Sequence, residues 1–140
     1  MSFPSIQGGK YGFEKQTHDK KRATYGTTMA LPDGRVFRYV ENGGSAIGEG
    51  LLVAAEAPAG NHDEDLVVAT TGAAGGTTIG VTLGGTAAAK DLYAEGYLFS
   101  NLASTTPHEM YKIKSHPAIA SSGTGTITID ESDGFQTAIT

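Results

Sequence analysis

Apolar and polar positions alternate with a period of two along much of this chain, and that alternation predicts β-strands whose two faces meet different surroundings. The clearest block lies between Asp91 and Ile129. There Tyr97-Leu98-Phe99, Met110-Tyr111-Lys112-Ile113-Lys114 and Thr126-Ile127-Thr128-Ile129 are separated by turn residues and read as neighbouring antiparallel strands. Tyr111 and Ile113 share one parity while Lys112 and Lys114 take the other, so one face is suited to burial and the other to water. Ile127 and Ile129 repeat the arrangement against Thr126 and Thr128.

Earlier in the chain, Leu31-Pro32-Asp33-Gly34 is a turn with a mechanism: Pro presets φ at the second position and Gly supplies a positive φ after Asp. A strand over 35–41 should follow, with Val36 and Val40 on one face and Phe37 and Tyr39 on the other, closed by Asn42-Gly43-Gly44. The apolar run at 51–55 fits a buried strand or a helical turn, the strand being favoured. Leu66-Val67-Val68-Ala69-Thr70 reads as a strand, 72–76 as a flexible turn, and 77–83 as a strand with Ile79, Val81 and Leu83 pointing one way. Ala87-Ala88-Ala89 is the best helix material, but it is too short for more than a turn or two. Residues 132–140 should form a last strand anchored by Phe135 and Ile139. The predicted core is Val36, Val40, Val67, Ile79, Val81, Leu83, Leu98, Tyr111, Ile113, Ile127 and Ile129. The expected fold is all-β, an antiparallel β-sandwich or barrel, with an extended N-terminal arm over 1–28 and a β-rich body over 29–140.

Composition narrows the picture. A chain of 140 residues has the size of one domain and can bury a core without covalent staples. It contains no cysteine, which rules out disulfides and thiolate metal sites, and its 20 glycines suit many turns and short strands. No apolar run approaches the roughly 20 residues of a spanning helix, and the first residues lack the apolar stretch of a secretory signal, so the expectation is a soluble, unprocessed protein with no membrane partner. The formal net charge of −5 argues against broad nucleic-acid binding. Its distribution says more than its sum: through Arg38 there are seven bases against three acids, and from Tyr39 onward three bases against twelve. A basic leading segment before an acidic body is the asymmetry of an interaction arm. That segment carries Phe3, Ile6, Tyr11, Phe13 and Tyr25, too many large apolar groups for a solvated tail, so part of it should dock on the body or on a partner.

Catalytic and metal-binding templates do not fit. Gly43-Gly44-Ser45-Ala46-Ile47-Gly48 is one residue too long for a nucleophile elbow, and Gly72, Gly75 and Gly76 have neither dinucleotide-site spacing nor a following helix. His18, His62, His108 and His116 are scattered among loops with no i, i+4 pair for zinc. The acidic clusters at 61–65 and 130–134 do not match a twelve-residue calcium loop and read as solvated turns. Paired carboxylates for glycoside hydrolysis find no aromatic sugar platform, Trp being absent. Lys20-Lys21-Arg22 is short and lacks interleaved aromatics, which suits contact with an acidic protein surface better than nucleic acid. Neither an enzyme nor a cofactor is expected.

Several stretches together carry a resemblance. They are the segment from Leu31 to Val40, the strand Ile79 to Leu83, Tyr93-Ala94-Glu95-Gly96-Tyr97-Leu98, and Tyr111-Lys112-Ile113-Lys114-Ser115-His116-Pro117-Ala118. From about Ala30 onward the chain resembles the capsid decoration, or cement, proteins of tailed bacteriophages in pattern and order. The resemblance implies a β-rich homotrimer, without catalytic residues, on the outer surface of the capsid across junctions between major capsid protein subunits. It would stabilise the head after synthesis in the host cytoplasm. The arm residues Phe3, Ile6, Tyr11, Phe13, Lys15, Lys20, Lys21 and Arg22 are then the expected shell contacts. Two other classes stay open: a head-fibre or tail-associated β module binding host surface glycans, and a small enzyme of unknown type.

Overall fold

A computed structural model describes residues 7–48, 51–52, 59–63, 66–100 and 108–140. The described residues form eight β-strands and one 3₁₀ turn, an all-β architecture. The chain divides into two compact units, Met1–Ala54 and Ala55–Thr140. The division expected at 28/29 falls inside a strand of the first unit, Thr28–Ala30.

In the first unit, β1 (Gln7–Gly8) runs parallel to β2 (Thr28–Ala30), and β2 pairs antiparallel with β3 (Val36–Arg38). The hairpin between β2 and β3 is the turn predicted at 31–34. Gly34 has φ 87° and its N–H donates to the Leu31 carbonyl at 3.0 Å, while the Leu31 N–H donates to the Arg35 carbonyl at 2.8 Å. Asp33 closes the corner by accepting from the Arg35 N–H at 3.1 Å and from its Nε at 2.8 Å. Those bonds, the backbone one foremost, hold the Asp33 carboxyl below the usual carboxylate range. Val36 and Val40 do not join a core as expected: they are 58% and 69% exposed, and Phe37 lies on the better covered face. Side chains alternate across β3, so Phe37, opposite Met29, takes the covered face and Val36 is left on the other.

The second unit is built on one antiparallel sheet in the order β4-β5-β8-β7-β6, with β4 Val67–Thr70, β5 Thr78–Thr82, β6 Tyr97–Phe99, β7 Met110–Ser115 and β8 Thr124–Ile129. The three strands read first from the sequence are adjacent, and their parity is as expected: Tyr111, Ile113, Ile127 and Ile129 are buried. Ile79 and Val81 join them, and Leu98 packs against the same cluster. Leu83 belongs to a second cluster with Ala88 and Ile119.

Val67 is a correction, being 65% exposed. Pairing of Val67 with Thr82 and of Val68 with Val81 puts the second valine, not the first, on the core face. Two consecutive valines carry no parity of their own, so the partner strand chooses between them. The last strand expected over 132–140 is replaced by isolated bridges, Phe135 to Ala74 and Ile139 to Gly72, which lay Phe135 and Ile139 across the apolar face of the sheet. Ala88 likewise pairs in extended form with Ile119 instead of starting a helical turn. These bridged segments form an irregular second layer over the sheet, a sandwich-like section. The expected strand at 51–55 is absent at Leu51 and Leu52, and 53–55 lie outside the described residues.

Candidate interaction surfaces

The leading segment shows the side chains that its sequence singled out. Tyr11 and Phe13 are 61% and 48% exposed, on a turn whose Gly12 has φ 95° and donates its N–H to the Glu14 carboxylate at 2.7 Å. Lys15, Lys20, Lys21 and Arg22 are exposed as well, whereas Phe3 and Ile6 lie outside the described residues. The basic cluster is organised by two tyrosines. Tyr25 and Tyr39 stack with ring centroids 5.9 Å apart, Lys21 Nζ sits 4.4 Å over the Tyr25 ring, and the Arg22 N–H donates to the Tyr39 hydroxyl at 3.0 Å. Tyr25 donates its own hydroxyl to the Glu41 carboxylate. The cluster is therefore presented on an aromatic platform rather than on a featureless tail, a cation–π arrangement that keeps the charge at the surface. Tyr39 was read from the sequence only as a strand residue. Seventeen positions separate it from Arg22, and only the pairing of 24–30 with 35–39 brings it there.

In the second unit, a cavity of about 670 Å³ opens over the core face of the sheet. Ile79, Val81, Ile113 and Ile127 line it from the sheet, and its wall includes His62, Asp63, Tyr93, His116, Ile139 and residues of β4 and β6. On that wall, His62 and His116 meet on Tyr93. The Tyr93 N–H donates to Nε2 of the buried His116 at 3.0 Å, which leaves the proton on Nδ1 to bond the Pro117 carbonyl at 2.7 Å. His62 Nε2 donates to the Thr86 carbonyl at 2.7 Å, so its Nδ1 accepts from the Tyr93 hydroxyl at 2.6 Å. Asp91 accepts the His116 N–H at 3.0 Å. Each imidazole spends both nitrogens on internal bonds, and the trio acts as a clamp that joins 62, 86–93 and 116–117. His18 and His108 are exposed and apart from it. Among the described residues, no three His, Asp or Glu side chains converge as a metal site, and no helix is long and apolar enough to cross a membrane.

A second polar network ties the C-terminal segment to the sheet. Tyr111 donates its hydroxyl to the Glu109 carboxylate and accepts the Gln136 N–H at 2.7 Å, while Thr137 Oγ1 donates to the other Glu109 oxygen at 3.1 Å. Burial, reinforced by Glu109, pushes the Tyr111 hydroxyl above its ordinary value of 10.0. A raised acid of this kind lends stability that is fully present below about pH 10 and is lost as pH rises through the shifted value. Stability measured by denaturant between about pH 9 and pH 12 should therefore fall more steeply in the native chain than in Tyr111→Phe. Parallel profiles would mean that the hydroxyl titrates as if in water.

Comparison of the chain with protein-family models, with characterised proteins and with solved structures finds no match.

Proposed function

We propose that this chain is a virion structural protein of a tailed bacteriophage, a decoration or cement protein that binds the outer surface of the major capsid protein shell and stabilises the head. The observation that carries the reading is the leading segment. It exposes Lys15, Lys20, Lys21 and Arg22 next to a tyrosine platform, ahead of a small all-β unit with an acidic balance. Such a protein must occupy many equivalent places, so a compact body with a charged arm suits the task. The sequence resemblance from about Ala30 onward supports the same class, and homotrimeric assembly belongs to the proposal. On the shell, the bases meet acidic groups of the capsid protein and give the contact its salt sensitivity.

The test is occupancy on purified heads, counted by electron microscopy over a salt series, for the full chain, a chain lacking residues 1–27, and a variant with Lys20, Lys21 and Arg22 all replaced by Ala. The truncated chain should stay folded in its second unit and bind more weakly. The triple variant should lose most of its salt dependence. Equal occupancy of all three at every salt concentration overturns the proposal, and glycan binding without head binding would favour the fibre-module alternative.

A further inference from the structure

The aromatic tip of the leading segment and the cavity of the second unit complement each other, and we propose that Tyr11 and Phe13 of one copy plug the cavity of a second copy. Three observations support the pairing. The tip presents two large, exposed aromatic rings on a turn that the Gly12–Glu14 bond holds in shape, and rigid aromatic anchors of this kind dominate protein interfaces.

The cavity has the size of pockets that receive such groups, about 670 Å³, and its floor is aliphatic. Its walls include residues of β4 and β6, which stand at opposite ends of the strand order, so both edges of the sheet border it. Among the described residues neither edge has a second strand partner, and neither strand carries a charge to blunt it.

The third observation is charge. Residues 1–27 hold five bases against two acids, and Lys10 and Lys15 bracket the aromatic pair; residues 55–140 hold three bases against ten acids, with Asp63 on the cavity wall. A segment of net +3 thus meets a unit of net −7. Attraction of this sign speeds encounter and selects the partner surface.

The occupant is a second copy because each chain carries one tip and one cavity. Tip-to-cavity contact is heterologous, and such contacts close into rings when the rotation between neighbours allows, a cyclic trimer among them. The inference needs no capsid and stands or falls apart from shell attachment. It makes no use of Lys20, Lys21 and Arg22, the bases assigned above to the shell.

The test uses the full chain in solution. Sedimentation over a concentration series should show self-association that Tyr11→Ala/Phe13→Ala weakens at least about tenfold. Asp63→Lys should weaken it too, and combining Asp63→Lys with Lys10→Glu and Lys15→Glu should restore part of the loss. These positions are exposed or half-buried, so circular dichroism should be unchanged. Val67, though off the core face, stands at the cavity's rim, and because the chain lacks cysteine, a Lys10→Cys chain mixed with a Val67→Cys chain should give a disulfide-linked heterodimer under oxidation. A native chain that stays monomeric at about 100 μM, well above typical protein–protein dissociation constants, overturns the inference. So does association unchanged by the aromatic double variant. A Lys10→Cys/Val67→Cys double variant that links only within one chain at high dilution, with no heterodimer in the mixture, also overturns it.

Discussion

Replacing Phe135 with Ala should lower the unfolding free energy by about 3 to 5 kcal/mol, the largest single-residue loss expected in this protein. Phe135 is 1% exposed and meets the Tyr111 ring edge-to-face with centroids 4.9 Å apart, a contact that adds about 0.5 to 1.5 kcal/mol beyond the buried area. A side chain on Gly72 would lie 2.9 Å from the ring, so glycine there makes room for it. The backbone fastens the residue as well: the Phe135 N–H donates to the Gly76 carbonyl at 2.9 Å and the Gly75 N–H to the Phe135 carbonyl at 2.8 Å. With the ring in so many contacts, its removal leaves a cavity that the fastened backbone cannot collapse to fill. Denaturant titration of the variant measures the cost. A loss below about 1 kcal/mol, near the average for any point mutation, would remove the C-terminal segment from the core.

Gly134→Ala is expected to cost about 2 kcal/mol or more, for two separate reasons. Gly134 has φ 68°, a conformation in which an L side chain costs roughly 1 to 2 kcal/mol. A methyl group there would also overlap the backbone of Gly75 and the carbonyl oxygen of Gly76, and no rotamer change relieves a clash with backbone. Relief requires the 75–76 turn to move, which strains the bond between Gly76 and Phe135. Gly34→Ala is the control, since Gly34 has φ 87° but open space where its side chain would stand. It should cost only the conformational part, roughly 1 to 2 kcal/mol, and less than Gly134→Ala. Equal losses for the two variants would show that the turn yields without penalty and that the backbone contact is unimportant.

Both predictions fall on a segment whose sequence shows only two possible anchors, and that contrast marks how much of the fold was legible. Strands β7 and β8 could be read with their faces because Lys112, Lys114, Thr126 and Thr128 assign the wet side, and the alternate positions are then the core; β6 could be read as their neighbour. The turn at 31–34 was legible because Pro, Asp and Gly each meet a local backbone requirement. The basic cluster on the leading segment was legible too, since exposure of consecutive charges needs no tertiary information.

Tertiary structure decided the remainder. Val36, Val40 and Val67 have the composition of core residues, but β3 and β4 are edge strands, and burial there depends on a second layer or a partner register that local pattern does not contain. The clamp of His62, Tyr93 and His116 and the platform of Tyr25 and Tyr39 join residues 14 to 31 positions apart, with no short spacing to betray them. The cavity is likewise a tertiary product, since its lining draws on strands from opposite ends of the sheet order and on residues from His62 to Thr140. Alternation and turn chemistry are properties of adjacent residues, and the chain states them directly. Edge position and register are properties of the assembled sheet, and they arise only once distant segments have paired.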